Sequence, residues 1–115
     1  MSIHLTGSGS YIPKIVKKNK DFLEANFLNP DGSEFNVSND VIIKKFQSIT
    51  GIKERRYATS TESTSDLAFK AAKNAISDSG INIESLDYII VAHNFGDIEH
   101  NNVQTDILPS IASRV

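Results

Sequence analysis

Residues 65–92 read SDLAFKAAKNAISDSGINIESLDYIIVA and contain the two clearest secondary-structure signals of the chain. The first part places Leu, Ala and Ile at helical spacing up to Gly80, and the charge of Asp66 suits a first helical turn. Because this apolar face is mostly alanine, we expect the helix to pack closely against a neighbour. The second part, residues 88–92, is apolar without alternation, which is typical of a strand buried on both faces of a parallel sheet.

Upstream of this region, the sequence predicts a strand, a short helix and a turn. Residues 2–5 alternate polar and apolar side chains as a strand does, and Gly7 and Gly9 end it. A short helix is predicted to begin at Asn19. It cannot continue through residues 29–34, because these contain a proline and an Asp-Gly pair that favour a turn.

A second helix is predicted to begin at Ser38 or Asn39 and to end at Gly51. Its apolar positions share one face at the spacing i, i+4 and i+7: Ile42, Phe46 and Ile49. Residues 52–58 follow as a charged connector with β character.

Downstream of the apolar run, residues 93–106 predict a polar loop at the carboxyl end of the buried strand, where α/β proteins bind ligands. Pro109 is predicted to open a last helix, with Ile111, Ala112 and Val115 as its apolar stripe. The order strand, helices, strand predicts an α/β fold with a right-handed crossover. Two strands do not form a sheet that is stable in water, so we expect an incomplete domain or a core completed by another chain.

Composition narrows the class of function. The chain has 115 residues, a formal net charge of −2, 39% hydrophobic residues and no cysteine. No basic field is available to attract nucleic acid or an anionic membrane, so neither is an expected partner. Three short basic clusters, at residues 17–20, 44–45 and 55–56, are interpreted as solvated surface. The lack of cysteine removes disulfides and thiolate metal sites from this stretch and fits a cytoplasmic protein.

Residue clusters that resemble chemical motifs are weak here. Gly7-Ser8-Gly9 lacks the third glycine of a dinucleotide fingerprint and is interpreted as a tight turn, so no cofactor is expected. His93, Asp97 and His100 are candidate metal ligands on one loop, but nothing in the sequence holds them in place, so no metal is expected. Residues 54–56 (Glu-Arg-Arg) suit either an anion contact or a structural ion pair.

Four segments, in order, resemble the opening of the type III 3-oxoacyl-[acyl-carrier-protein] synthases. They are residues 6–13 (TGSGSYIP), residues 49–56 (ITGIKERR), residues 65–81 with their alanine helix, and residues 86–92 followed by Leu108-Pro109-Ser110. Residues 26–36 and 96–106 look like insertions. The resemblance implies a thiolase-like α/β fold, with residues 1–115 as the incomplete opening part of its first βαβαβαββ half.

The resemblance also implies a function. The family condenses an acyl group, from acyl-CoA or an acyl carrier protein thioester, with malonyl-acyl carrier protein in fatty-acid synthesis, and it works as a cytoplasmic homodimer. Its catalytic Cys, His and Asn would lie beyond Val115. No catalytic residue is therefore assigned, and this stretch alone is expected to be inactive.

Two sets of positions carry partial information on specificity. Leu108 stands where relatives often have an aromatic residue that crosses the dimer interface and closes the partner's acyl tunnel, so a longer acyl group is expected to fit. Lys45 and Ile49 stand where relatives hold the CoA adenine with an aromatic residue and an arginine. Neither preserves that pattern, so the acyl donor stays open between CoA and the carrier protein.

Two alternatives remain open at the level of sequence. One is a thiolase-fold condensing enzyme of specialised metabolism, such as resorcinol or pigment assembly. The other is a non-catalytic subunit that completes its core with a partner.

Overall fold

A computed structural model describes residues 2–99, 101–102, 104–106 and 108–115, and it is a mixed α/β structure. The chain divides into two compact units. One consists of Lys14–Tyr57 and the other of Met1–Pro13 with Ala58–Val115.

The unit Lys14–Tyr57 is a two-stranded antiparallel ribbon with one helix. Strand β1 is Ile15–Lys18, helix α1 is Asn39–Thr50 and strand β2 is Glu54–Tyr57, and a 3₁₀ turn at Asn19–Phe22 follows β1. In the ribbon, Ile15 faces Tyr57 and Lys18 faces Glu54. The β character predicted for residues 52–58 is thus confirmed, and the predicted short helix at Asn19 is a single 3₁₀ turn.

Helix α1 has the predicted bounds. Ser38 is its N-cap residue in extended conformation, and Gly51 ends it with a φ of 69°, a left-handed conformation that glycine adopts without strain. The buried face differs from the predicted one, because Ile42 and Ile43 are buried whereas Ile49 is 71% exposed. Phe46 of α1 packs edge-on against Phe27, with 5.7 Å between the ring centroids. Among the described residues, the apolar neighbours of α1 do not extend as far along the helix as Ile49.

The predicted turn at residues 29–34 is present in the same unit. The backbone N–H of Asn29 donates to the carbonyl of Ser33 at 2.8 Å, and Gly32 has a φ of 83°. A bridge between Leu28 and Glu34 closes this small hairpin, which lies within the first predicted insertion.

The second unit is built around helix α2, Thr64–Ser79. Ser63 and Asp66 form a reciprocal capping box at its N-terminus, and Gly80 ends it with a φ of 66°. The close packing predicted for its alanine face is confirmed. A Cβ atom placed on Gly9 would lie 2.2 Å from the backbone N of Ala75 and 2.6 Å from the carbonyl O of Ala71, so only glycine permits this approach.

The C-terminal part of this unit is a short hairpin followed by a helical turn. Strand β3 (Asp97–Ile98) pairs antiparallel with β4 (Thr105–Asp106), so the predicted loop contains a small sheet. Helix α3 is Ile111–Arg114, with Ser110 as its N-cap residue. Pro109 therefore lies before the helix and not at its first position, because the hydroxyl of Ser110 provides the cap. Ile111 is buried, as the apolar stripe predicted.

The two predicted strands of the main sheet are absent from the described residues. Residues 2–5 and 88–92 have no ladder partner, and Ile3 and Ile90 are 96% and 92% exposed. A strand buried on both faces needs a neighbour at each edge and a covering layer on each side. The described part of the chain provides neither to these segments. None of the described helices has the length and apolarity that a membrane span requires.

Candidate functional site

The hairpin β3–β4 brings two carboxylates into register. Asp97 faces Asp106 across the antiparallel pair. Like charges at directly opposed positions destabilise a strand pair unless a cation compensates them. The compensating cation is Arg114 in α3. Its Nη1 donates to Asp97 Oδ2 at 3.0 Å and its Nη2 donates to Asp106 Oδ2 at 2.7 Å.

Asp97 also closes the N-terminus of α2. The backbone N–H of Ser65 donates to Asp97 Oδ1 at 2.8 Å, and the Ser65 hydroxyl donates to Oδ2 at 2.7 Å. Both residues are buried. First-turn N–H groups have no partner within a helix, and a carboxylate accepts from them favourably. This contact anchors the hairpin on α2.

Arg114 additionally holds the segment that precedes α3. Its Nε donates to the carbonyl of Pro109 at 3.1 Å, and Nη2 donates to the carbonyl of Leu108 at 3.3 Å. The Leu108 side chain itself is 80% exposed. The backbone of Leu108 is thus fixed by the same arginine that bridges the two carboxylates, while its side chain is available for contact.

The charges of this network shift the ionisation of its members. Burial raises the pKa of Asp97, but the hydrogen bonds from Ser65 and the charge of Arg114 outweigh burial, so that the pKa lies below its usual value. Arg114 has its pKa raised by Asp106 and Asp97. Asp97 and Arg114 therefore both favour their charged forms in the folded chain.

A cleft of about 560 Å³ opens beside this network. Its wall is polar and carries hydroxyl groups and carboxylates, among them Thr59, Glu62, Ser63, Glu99, Thr105 and Asp106. The Ser63 hydroxyl donates to Asp66 in the capping box, and the Ser65 hydroxyl donates to Asp97, so both have structural partners. Within the described lining, no hydroxyl is paired with a histidine that would activate it as a nucleophile.

Of the three residues weighed as metal ligands, the two that the structure describes, His93 and Asp97, have other partners. Asp97 is held by Ser65 and Arg114, and Nδ1 of His93 lies 2.6 Å from the carbonyl O of Phe95. His100 lies outside the described residues. Elsewhere in the described part of the chain, no group of three metal-ligating side chains is found.

A second cluster joins the N-terminal segment to α2. Tyr11 donates to Glu62 Oε1 at 2.7 Å, Lys70 donates to the same oxygen, and the Lys70 ammonium lies 4.5 Å from the centre of the Tyr11 ring. The backbone N–H of Thr59 donates to Glu62 Oε2 at 3.0 Å. The hydrogen bond from Lys70, followed by those from Thr59 and Tyr11, lowers the pKa of Glu62 to about 2.

A smaller cavity of about 140 Å³ lies within the unit Lys14–Tyr57. Aromatic rings line it, and the Arg55 guanidinium lies 5.6 Å from the centre of the Phe22 ring and donates to Asn19 Oδ1 at 3.0 Å. Residues 54–56 had two interpretations, an anion contact or a structural ion pair. The described contacts include an exposed ion pair between Arg56 and Glu54 at 3.2 Å, which favours the second interpretation.

Sequence reasoning missed Arg114 and Ser65 as members of the network. The capping box Ser63-x-x-Asp66 is readable as a pattern, whereas the partners of Asp97 lie 32 and 17 residues away in sequence. No local spacing identifies such a contact. The one available signal was Arg114 itself, a positively charged residue shortly after a loop that contains several acidic residues.

Known proteins are similar to this chain over most of its length. No protein-family model matches the chain. Curated proteins do match the chain. Beta-ketoacyl-[acyl-carrier-protein] synthase III of Staphylococcus haemolyticus is 37% identical over 114 residues, which is 99% of this chain and 32% of that protein.

Proteins of the same name from two further species are similar. The Staphylococcus saprophyticus protein is 38% identical over 97 residues and the Staphylococcus aureus protein 38% over 98 residues, which is 27% of the length of each. The resemblance noted in the sequence is thus confirmed: the chain is homologous to a part of beta-ketoacyl-[acyl-carrier-protein] synthase III. It spans about 30% of the length of these relatives.

Proposed function

We propose that residues 1–115 are the N-terminal part of a longer condensing enzyme of the 3-oxoacyl-[acyl-carrier-protein] synthase III type. The observation that carries this proposal is the 37% identity over 114 of the 115 residues. The enzyme would join an acyl primer to malonyl-acyl carrier protein in fatty-acid synthesis, in the cytoplasm.

The surface of the chain supports a role as part of a larger core. Among the described residues, the buried apolar side chains are Ile42, Ile43 and Ile111, whereas Tyr88 and Ile90 are exposed within an uninterrupted apolar run. Apolar surface of this extent normally contacts another part of the protein or a partner. We propose that the run becomes a doubly covered strand of a thiolase-like sheet, and that α2 with its glycine contact at Gly9 lies between layers.

The reaction that the resemblance implies proceeds in two half-reactions. A cysteine thiolate attacks the carbonyl carbon of the acyl thioester, and the leaving thiol departs as free CoA or carrier protein. The malonyl thioester then loses carbon dioxide, and its carbanion attacks the acyl-enzyme to release the 3-oxoacyl product and regenerate the thiolate. In the resemblance, the Cys, His and Asn of these steps lie outside residues 1–115, so the described residues contribute structure and specificity.

Within this chain, we assign Leu108 to the acyl tunnel at the interface of a homodimer. Its side chain is exposed while its carbonyl is held by Arg114, so that a rigid backbone would present an apolar group to a partner subunit. The assignment comes from the residue's place before Pro109 in the family pattern.

The test of the proposed function is turnover by the full-length protein. With acetyl-CoA and malonyl-acyl carrier protein, we expect release of one carbon dioxide per 3-oxoacyl product. Substitution of the cysteine predicted downstream by serine should abolish the product. If the full-length protein contains no such cysteine, or binds the thioesters without condensing them, the condensing function is wrong and the alternative of a non-catalytic subunit is favoured.

A second candidate is a condensing enzyme of specialised metabolism that takes its acyl group from a carrier protein. Ile49 favours it, because the side chain is 71% exposed in the last turn of α1 and cannot pair with a phosphate as arginine does. Donor competition discriminates the two. Efficient use of acetyl-CoA would exclude the second candidate, and strict preference for acyl-carrier protein would support it.

A further inference from the structure

Arg114 joins side chains and backbone carbonyls from two elements of its unit. Its Nη1 donates to Asp97 Oδ2 at 3.0 Å, and its Nη2 donates to Asp106 Oδ2 at 2.7 Å. Its Nε donates to the carbonyl of Pro109 at 3.1 Å, and Nη2 donates also to the carbonyl of Leu108 at 3.3 Å. A planar guanidinium with five N–H groups makes such a set of contacts, whereas the single ammonium of a lysine does not reach them all. We call Arg114 with these acceptors the Arg114 clamp.

The two carboxylates of the clamp decide how the guanidinium is oriented. The Asp97 side chain is 8% exposed and accepts two hydrogen bonds from Ser65 at the start of α2. Asp106 lies opposite Asp97 in the β3–β4 hairpin, and its side chain is 60% exposed. The Arg114 side chain is 24% exposed. Because charge-assisted hydrogen bonds to a fixed, buried carboxylate are strong and directional, α2 and the hairpin hold the guanidinium in one orientation.

The clamp acts on the backbone of Leu108. The Leu108 side chain is 80% exposed, so packing within the described chain does not fix its position. Its position depends on the backbone, and in the described part of the chain Arg114 is the donor to its carbonyl and to the next one. Leu108 is therefore an exposed apolar side chain on a backbone that the clamp holds still.

The clamp also gives a role to the hairpin β3–β4. Both of its carboxylates lie within residues 96–106, which look like an insertion in the sequence. Two carboxylates at directly opposed positions are unfavourable for a strand pair by itself. The hairpin is stabilised in this form by Arg114, and Arg114 is oriented by the hairpin. The insertion is thereby connected to the segment that carries Leu108.

We propose that Arg114 is a positioning residue for acyl-chain selection: it fixes the backbone of Leu108 and thereby fixes where the acyl tunnel ends. This inference rests on the proposed function, which assigns Leu108 to that tunnel. Arg114 acts through Leu108 and is not itself a catalytic residue. A small displacement of the group that ends the tunnel changes which chain fits, since one methylene in a hydrophobic pocket changes discrimination by about 10- to 200-fold.

The test measures kcat/KM of the full-length protein over straight-chain primers from acetyl to decanoyl, on the donor that the wild type uses. The wild type should show a steep fall at one chain length, because a fixed Leu108 ends the tunnel. In Arg114→Lys, which keeps the positive charge beside Asp97 but loses the fork, we expect this fall to shrink about tenfold. The kcat for the preferred primer should stay close to that of the wild type.

A second background separates positioning from general stability. In Leu108→Ala, the side chain that the clamp positions is absent, so adding Arg114→Lys should not change the chain-length profile further. A merely structural arginine would change the profile, or lower all rates, equally in both backgrounds. Arg56→Lys is the matched control, because Arg56 is an exposed arginine of the other unit, and it should keep the wild-type profile.

Asp106→Asn keeps the inference testable if Arg114→Lys fails to fold. It removes the exposed carboxylate and leaves the buried pair of Arg114 with Asp97, so we expect a stable protein with a smaller change in the same direction. Hydrogen exchange of the peptide that contains Leu108 provides a readout without turnover. Exchange should be faster in Asp106→Asn and in Arg114→Lys than in the wild type, because the backbone is held less firmly.

The outcomes distinguish this inference from the proposed function. Condensation with an unchanged chain-length profile in both variants would overturn the inference alone, and so would a wild type that shows no steep fall. Unchanged hydrogen exchange at Leu108 would also overturn it. Absence of condensation by the wild type with every primer would refute the proposed function, and the inference with it.

Discussion

Asp97 and Asp106 face each other across the β3–β4 hairpin, and one arginine, Arg114, bridges them at 3.0 and 2.7 Å. The same Asp97 accepts two hydrogen bonds from Ser65 at the start of α2. The hairpin, the N-terminus of α2 and the helical turn α3 are therefore joined through one buried carboxylate. Removal of its charge should affect all three elements together.

Asp97→Asn is expected to destabilise the full-length protein by about 1–3 kcal/mol, because a charged acceptor of several hydrogen bonds is lost next to Arg114. Urea unfolding at neutral pH measures this change. Asp87→Asn, at an exposed carboxylate, is the matched control and should have little effect. Equal effects of the two substitutions would show that the network contributes nothing to stability.

Gly9→Ala is expected to destabilise the contact between the N-terminal segment and α2 by about 3 kcal/mol or more, at the upper end of overpacking costs. The added Cβ would lie 2.2 Å from the backbone N of Ala75, and a helix backbone cannot move aside as a side chain does. Thermal unfolding provides the measurement, with Ser8→Ala as control. A stable Gly9→Ala variant would mean that the segment does not pack on α2 as described.

The Glu62 cluster predicts a pH dependence. The pKa of Glu62 is lowered from 4.5 to about 2 in the folded state, so its stabilising contribution is complete above 4.5 and is lost as the pH falls towards about 2. We expect the melting temperature of the wild type to fall over this range more steeply than that of Glu62→Gln. Glu24→Gln, at an exposed site, is the control, and identical pH profiles for Glu62→Gln and wild type would contradict the assignment.

Leu108→Phe is expected to narrow acyl selection in the full-length enzyme. If Leu108 lies in the acyl tunnel, a larger side chain shortens the tunnel, and the longest acyl chain that fits loses several carbon atoms. The ratio of kcat/KM for hexanoyl to acetyl primers should then fall about tenfold or more, since lost methylene contacts are worth up to a few kcal/mol. Leu28→Phe serves as a control at an exposed leucine of the other unit. An unchanged ratio would remove Leu108 from the tunnel.

Ile90→Asp should have opposite effects in two settings. In the polypeptide 1–115, where the side chain is 92% exposed, we expect less self-association, because an apolar surface becomes charged. In the full-length protein, we expect loss of soluble expression, since the residue would be covered on both faces. Light scattering and soluble yield measure the two effects, and Ile83→Asp is the control. A sharp cooperative unfolding of monomeric 1–115 would show that no further cover is needed.

Local signals predicted both ends of α1 and the C-terminal end of α2. Ser38 and Gly51 bound α1 and Gly80 ends α2, because capping and left-handed glycine act within a few residues. The helix predicted at Asn19 is a single 3₁₀ turn. The alanine face of α2 likewise predicted close packing, although the sequence does not name Gly9 as its partner. Ile49 was assigned to the buried face by periodicity alone, and it is exposed because burial needs a neighbour.

The sequence by itself determined the α/β character, the two helices with their caps and the relationship to the synthases, since all of these depend on residue order over short distances. The tertiary structure decided which charges meet. Lys17 faces Arg55, and Arg114 bridges Asp97 and Asp106, through strand register and helix position. Residues 88–92 show the same dependence on tertiary structure. An apolar run forms a strand only where other segments supply hydrogen bonds and apolar cover, and the described part of the chain supplies neither to these residues.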